Sequence, residues 1–559
     1  MTDSPRTPSA IDTLAEEWVD TVAELSPVAG TYIGRDEYND RYGDYSPDGA
    51  ADAAAKARAT LTALNALEPL DDVDVVTKDA LGRDLELTLA VHDARWHLRD
   101  LNVIASAPQD IRAVYDLMPT ESADDWTVIA TRMGAIPSAI AGYISTLRAG
   151  IAEGVVPARR QVAEVATQVL RYTGDTGFFA AFVAGAATRD GGELPASLTR
   201  DLASASGAAR EAYDTLAEFL RTELAPVAGE KDAVGRELYA LQSQRFLGAK
   251  IDLDETYEWG IGELARMVAE QEAIAEEIEP GASVEEAVVS LEADASSRLH
   301  GTDALQEWMQ RVSNQAVEEL GRTHFDIPEP VRRLECMIAP TQEGGIYYTG
   351  PTDDFSRPGR MWWSVPEGVE DFDTWRELTT VYHEGVPGHH LQIGQAVYNR
   401  AELNAWRRLL SGSSGHAEGW ALYAERLMDE LGYLSTPADR LGMLDGQRMR
   451  AARVVLDIGV HLGKPRLDGD GVWDADNALE FMSRNVNMPD EFVRFEVNRY
   501  LGWPGQAPSY KVGQRIWEQI RDEYKARKGD AFDIKQFHKK ALDLGGVGLD
   551  TLRMAVGRL

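Results

Sequence analysis

The chain has 559 residues, 44% hydrophobic and 26% charged, which is the balance of a globular protein with a large core and excludes a largely disordered chain. Acidic side chains outnumber basic ones 92 to 56, and a formal charge of -36 repels phosphate backbones and anionic lipid, so neither nucleic acid nor a membrane is an expected partner. Cys336 is the only cysteine, so an intrachain disulfide and a thiolate metal cluster are both excluded, and any metal site must use histidine and carboxylate.

The opening "MTDSPRTPSAIDTLAEEW" has no basic start followed by an apolar run, and no later segment offers about 18 uninterrupted apolar residues, which predicts a cytoplasmic protein. Residues 11 to 25 have helical periodicity, with Leu14, Trp18, Val22 and Leu25 on one stripe. A turn-rich connector follows, and Ser46-Pro47-Asp48 reads as the entry to a helix reaching Leu67. Further helical patterns occupy 74–100, 125–150, 157–172, 197–225, 230–247, 254–277, 303–320 and 372–399. Strand signals are few: "GGIYYTG" (344–350) and "RMWWSV" (360–365), separated by "PTDDFSRPG", predict a hairpin beside a cleft.

No internal repeat and no long linker divides the chain. The expectation is a mainly α, multi-helix single catalytic domain over 1–559, with a helical lobe at 1–330, a metal-site lobe at 331–559 and a deep cleft between them.

Four of the ten histidines, His383, His389, His390 and His416, fall within 34 residues. In "YHEGVPGHHLQ" the order His383-Glu384 matches the start of a zinc-peptidase helix, but the position four on from His383 is Pro387. On an ideal helix His390 would return to the face of His383 roughly 10 Å further along, too far to share an ion whose ligands each lie about 2.0 to 2.1 Å away. Pro387 lacks the N–H that would bond back to the carbonyl of His383, and Gly388 tolerates almost any backbone angle, so a broken turn can return the next histidine. Spacing leaves His389 and His390 open as the second ligand, with His389 preferred and His390 left to support a ligand, contact substrate or simply pack. In "GHAEGWALYAE" Glu418 and Glu425 share a helix face, and one can ligate while the other orients a ligand. Glu384, beside the first ligand, is placed to act as general base.

Hydrolysis of an amide needs a donor for the developing oxyanion, and "RYLGWPGQAPSY" offers Arg499, Tyr500, Gln506 and Tyr510 in a turn-rich segment, with Tyr510 first choice. In "RMRAARVVLDIGVH", Arg450, Arg453, Asp457 and His461 recur at helical steps. That stripe reads either as a solvated ion-paired face or as a site wall, with His461 a second proton donor and Arg453 gripping a substrate carboxylate. Tyr348 and Arg357 in the hairpin are candidate contacts for substrate backbone.

Together "YHEGVPGHHLQ", "GHAEGWALYAERL", "SRPGRMWW" and "RYLGWPGQAPSYKVG" resemble the bacterial family catalogued as domain of unknown function, number 885, and "TYIGRDEYNDRYGDYSP" extends the likeness towards the N-terminus. The resemblance implies a helical fold similar to cleft-forming metallopeptidases such as angiotensin-converting enzyme and the thermostable carboxypeptidases. It also implies zinc bound by His383, His389 and Glu418, with Glu384 as base, which on the helix-face reading leaves Glu425 to support a ligand from behind. The expected activity is zinc-dependent cleavage of short peptides, carboxypeptidase-like, with one zinc per chain. The alternatives are hydrolysis or lysis of an amide in a small metabolite, and non-catalytic peptide binding.

Overall fold

Helix starts are written locally by capping side chains, and they set the architecture. Ser9 accepts the backbone N–H of Asp12 at 3.1 Å while Asp12 accepts that of Ser9 at 2.8 Å, a reciprocal cap that opens the helix Ala10–Leu25. Ser46 caps Pro47–Asn65 by accepting the backbone N–H of Gly49, with proline at the first helical position, where its missing N–H costs nothing. In this computed structural model, which describes residues 6–339 and 345–559, the protein is mainly α-helical with two small sheets.

Several predicted helices are shorter pieces in the structure. The 74–100 pattern is the helix Asp72–Asp93 followed by a tight turn at Trp96–Leu98, and the 125–150 pattern is Ala123–Gly134 and Ile136–Glu153, the second with Pro137 in its first turn. The 372–399 pattern is Thr374–Glu384 and His389–Tyr398, broken at the segment that carries the histidines. Among the described residues, no helix is long and apolar enough to cross a membrane.

The strands are β1 (Arg298–His300), β2 (Leu334–Ile338), β3 (Ile346–Thr349), β4 (Gly359–Trp363) and β5 (Asp371–Asp373). β1 pairs antiparallel with β5, while β4 lies between a parallel β2 and an antiparallel β3. The hairpin read from the sequence is thus β3–β4, with Tyr348 opposite Met361, although Gly344 of its first segment lies outside the described residues. Cys336, Met361 and Trp363 on this sheet pack with Trp308 and Val381, which anchors the sheet against the helix leading to His383.

One apolar core gathers helices between Val28 and Ala228 around Tyr115, Trp126, Phe179 and Tyr213. A larger one joins Trp18, Leu81, Tyr257 and Leu320 to Trp420, Tyr500 and Trp517, so residues on both sides of position 330 share it. Within it Ser414–Glu430 crosses Ser509–Lys528 at glycines. A Cβ on Gly419 would lie 2.4 Å from the carbonyl carbon of Gly513, and one on Gly513 would lie 2.3 Å from the carbonyl oxygen of Gly415. Bare backbone at the crossing lets the axes approach closely, and that approach brings Glu418 and Tyr510 towards one another.

Candidate metal centre

The helix that carries His383, Thr374–Glu384, stops because Pro387 cannot donate to the carbonyl of His383. The chain instead closes a wider turn: the N–H of Gly388 donates to Tyr382 O at 3.0 Å and that of His390 to Gly385 O at 3.2 Å. Gly388 presses against the preceding turn so closely that a Cβ there would sit 1.8 Å from the carbonyl oxygen of His383. The Trp420 indole donates to Pro387 O at 2.8 Å, tying the break to the glutamate helix Ser414–Glu430. A new helix begins at His389, and the His383 and His389 rings lie 4.8 Å apart at 89°.

Three buried groups and the half-buried Glu418 converge here. One donor atom each of His383, Glu384 and His389 lies within 4.8 Å of the other two. Glu418 Oε2 approaches His383 Nε2 at 3.3 Å and His389 Nε2 at 3.6 Å, yet makes no hydrogen bond. Two ligands about 2.05 Å from a tetrahedral zinc ion are separated by about 3.3 Å, so these are the edge lengths of a zinc polyhedron. Glu384 Oε2 and His389 Nδ1 are likewise buried without a hydrogen-bond partner among the described residues. The donor set therefore fits zinc, with either Glu418 or Glu384 as carboxylate ligand. The polyhedral distances belong to Glu418, and Glu384, adjacent to His383 on one helix, projects about 100° away from it.

Glu425 fixes the orientation of the first histidine. His383 Nδ1 donates to Glu425 Oε1 at 2.7 Å, which holds the ring with Nε2 facing Glu418. Glu425 Oε2 accepts from the Gln447 amide at 2.7 Å, Gln447 Oε1 accepts from Lys511 Nζ at 2.6 Å, and Lys511 pairs with Glu263 at 3.0 Å. A polar chain thus runs from the imidazole across four further helices, those of Glu425, Gln447, Lys511 and Glu263.

Burial alone would lower the His383 pKa, but the Glu418 and Glu425 carboxylates at its two nitrogens outweigh it and push it up to about 10. Burial raises the Glu384 carboxyl above its ordinary range, with His389 and His383 opposing. Glu418 is held well below that range, because burial, which would raise it, is outweighed by the two imidazoles facing it. Sites that pair a lowered carboxylate with a raised one separate a ligand from a proton carrier.

A family model described as "Bacterial protein of unknown function (DUF885)" matches residues 27–556. The chain belongs to this family. Among solved structures, this DUF885 chain is similar to "putative lipoprotein from Colwellia psychrerythraea", with TM-score 0.85 and 22% identity over 98% of each chain. It is similar also to a "putative lipoprotein of unknown function from Shewanella oneidensis", with TM-score 0.74 and 18% identity over 98% of this chain and 99% of that one. These likenesses show the fold. They also overturn the cytoplasmic expectation, since chains of this fold are described as lipoproteins. A likeness to "PZ peptidase A with inhibitor 2", with TM-score 0.33 and 11% identity over 92% of this chain and 94% of that one, is too remote to carry an argument. No curated protein matches by sequence.

Several site expectations for this DUF885 chain need correction. His390 points away from the centre: its Nε2 donates to Val331 O at 2.7 Å and its Nδ1 accepts from the Tyr348 hydroxyl at 2.9 Å. Burial lowers its pKa to about 4, and neither His390 nor Tyr348 is free to hold substrate. Arg357 donates to Gly350 O at 2.8 Å and so ties its own loop. His461 is no proton donor to the site, because Nε2 donates to Tyr500 O at 3.1 Å and Nδ1 accepts Val234 N–H at 3.4 Å. Arg453 does not wait for a substrate carboxylate; it donates to Glu496 at 2.7 Å and to the Tyr500 hydroxyl at 2.6 Å. Tyr500, itself hydrogen-bonded to Glu496, is a core residue of the helix Asp490–Gly502, and Arg499 sits on that same helix instead of in a turn. Arg499 spans Glu496 at 3.2 Å and Gln506 Oε1 at 2.7 Å, so Arg499 and Gln506 hold each other.

Tyr510 opens the helix Ser509–Lys528, half-buried beside this cluster, with the Arg453 guanidinium 5.1 Å from its ring. Burial and the nearby Glu418 charge raise its pKa, against Arg499, Arg453 and Arg450, so the phenol keeps its proton. Sequence reasoning missed Trp420, Gln447 and Lys511. Gln447 stands one turn before Arg450 on the long helix Pro437–Leu462, and Lys511 adjoins Tyr510; adjacency to named candidates was the available signal.

Proposed function

We propose that this protein is a zinc-dependent hydrolase of peptide bonds in short peptides, carboxypeptidase-like in its preference. His383, His389 and Glu418 are the ligands, and Glu384 is the base. The observation that carries this reading is a Glu418 oxygen that lacks a hydrogen bond and stands 3.3 and 3.6 Å from two imidazole nitrogens, with a second unpaired carboxylate beside them. Zinc held by His383, His389 and Glu418 would supply Lewis acidity for a water and for the scissile carbonyl.

The chain's own groups do the rest. Glu384, its pKa raised by burial, takes a proton from the attacking water and returns it to the leaving amine. Glu425 keeps the Nδ1 proton of His383 in place, so the ligand nitrogen stays oriented while charge develops. The Tyr510 phenol donates to the oxyanion, a contact worth about 10²- to 10³-fold in rate where such donors have been removed. β3 is an edge strand of its sheet and offers unpaired backbone to an extended peptide.

Digestion of a defined peptide library, read by mass spectrometry, tests the reading. The zinc-loaded protein is expected to cleave short peptides, and Glu384→Gln to keep its zinc while losing turnover by at least about 10²-fold. Absence of any peptide-bond cleavage by the zinc-loaded protein would reject it.

A further inference from the structure

Arg450 lies on the helix Pro437–Leu462, one turn beyond Gln447, whose amide touches Glu425 behind the first ligand. Its guanidinium stands 5.8 Å from the centre of the Tyr510 ring. It folds back over the bare backbone at Gly446, where a Cβ would lie 2.5 Å from Nη1. A larger residue one turn earlier would occupy the space the guanidinium uses.

The arginines around the centre differ in what they hold. Arg453 and Arg499 share the Glu496 carboxylate. Arg450 pairs with no carboxylate among the described residues, and its Nε is buried without a hydrogen-bond partner. Its charge still acts beside the centre, where it opposes the rise in the pKa of the Tyr510 phenol. A half-buried guanidinium with open donors, one ring away from the proposed oxyanion donor, presents the planar fork that carboxylates fit. The chain carries a formal charge of -36, so an anionic group approaching this centre needs a local cation to admit it.

We infer that Arg450 binds the free carboxylate of the substrate, making the preferred substrates short peptides with an unblocked C-terminus. This rests on the peptidase reading for the identity of the substrate. It assigns to Arg450 the role that the sequence offered to Arg453.

Equilibrium dialysis separates this claim from catalysis. The probe is a pool of N-acetyl dipeptides, each as the free acid and as the C-terminal amide, dialysed against the zinc-loaded Glu384→Gln protein. The acids are expected to be retained at least about tenfold over the amides. Arg450→Gln in the same background should abolish that preference, and Arg450→Lys, which keeps the charge and loses the fork, should restore part of it, each with zinc content unchanged. Equal retention of acids and amides by the Arg450 protein, retention of neither, or a preference that survives Arg450→Gln would overturn the assignment. The acid–amide comparison needs no folded Arg450 variant. Loss of this preference with peptide cleavage intact would sink the inference alone, whereas preference without cleavage would sink the peptidase reading alone.

Discussion

His383 is held at both nitrogens, by Glu425 on one side and Glu418 on the other, and these two glutamates sit two helical turns apart on one face. The arrangement gives each a separate expected phenotype. Glu418→Ala should lose zinc altogether, whereas Glu425→Gln should keep the fold and weaken zinc binding about 10- to 100-fold, because only the orientation of the imidazole is relaxed. Competition of each variant with a chelator of known affinity measures both. Much of this centre is legible in the sequence, since His383, Glu384, Pro387, Gly388 and His389 form one segment whose chemistry is local. The arginines are not. Arg450 and Arg453 are one turn apart on the same helix, and which of them is spent on a protein carboxylate depends on Glu496, a partner 43 positions from Arg453. For the same reason the sequence offers no sign that His461 gives both ring nitrogens to backbone groups.

The element that makes the centre possible is a helix interrupted at one place. A continuous helix would put successive candidate ligands on different levels; the break at residues 385–388 brings rings six positions apart to 4.8 Å. Gly388→Ala places a methyl group on the His383 carbonyl and should abolish stoichiometric zinc binding while leaving helix content by circular dichroism near that of the parent. Retention of one tightly bound zinc by that variant would show that the break tolerates a side chain and is not what aligns the ligands. The crossing of the glutamate and tyrosine helices predicts a different result. Gly513→Ala forces the axes apart and should cost about 1 to 3 kcal/mol of stability, measured by denaturant unfolding, because overpacked contacts must be relieved by backbone shifts. The sequence shows that helices are present around these glycines, but not which glycine faces which helix. Helix periodicity reports an apolar stripe and stays silent about its partner.

Across the whole molecule, the mainly α architecture is readable because helix caps and apolar stripes are local, and the β3–β4 hairpin because its strands are close in sequence. The parallel β2 and the β1–β5 pair, joined over longer separations, are not. Burial at this scale also sets an acid limit. His461 and His538 are 1% and 0% exposed, and burial lowers their pKa values to about 4 and about 3 although carbonyls of Tyr500 and His324 oppose it. Their unfolded pKa is about 6.5, so as pH falls below that value the unfolded chain takes up protons that the folded chain refuses. The stability is fully present above about pH 6.5 and is lost towards pH 4, by about 1.4 kcal/mol per pH unit for each histidine. Thermal unfolding followed from pH 7 to 4.5 should show this decline, and replacing His538 with glutamine should make it shallower; a flat profile would contradict it.

The central claim concerns one ion position between three side chains on two interrupted helices and a third that crosses them. Crystals of the zinc-loaded protein, measured at the zinc absorption edge, test it most directly. The account predicts one anomalous peak lying about 2.0 to 2.2 Å from His383 Nε2, His389 Nε2 and Glu418 Oε2. A peak elsewhere, or none among these atoms in protein that contains stoichiometric zinc, would contradict it.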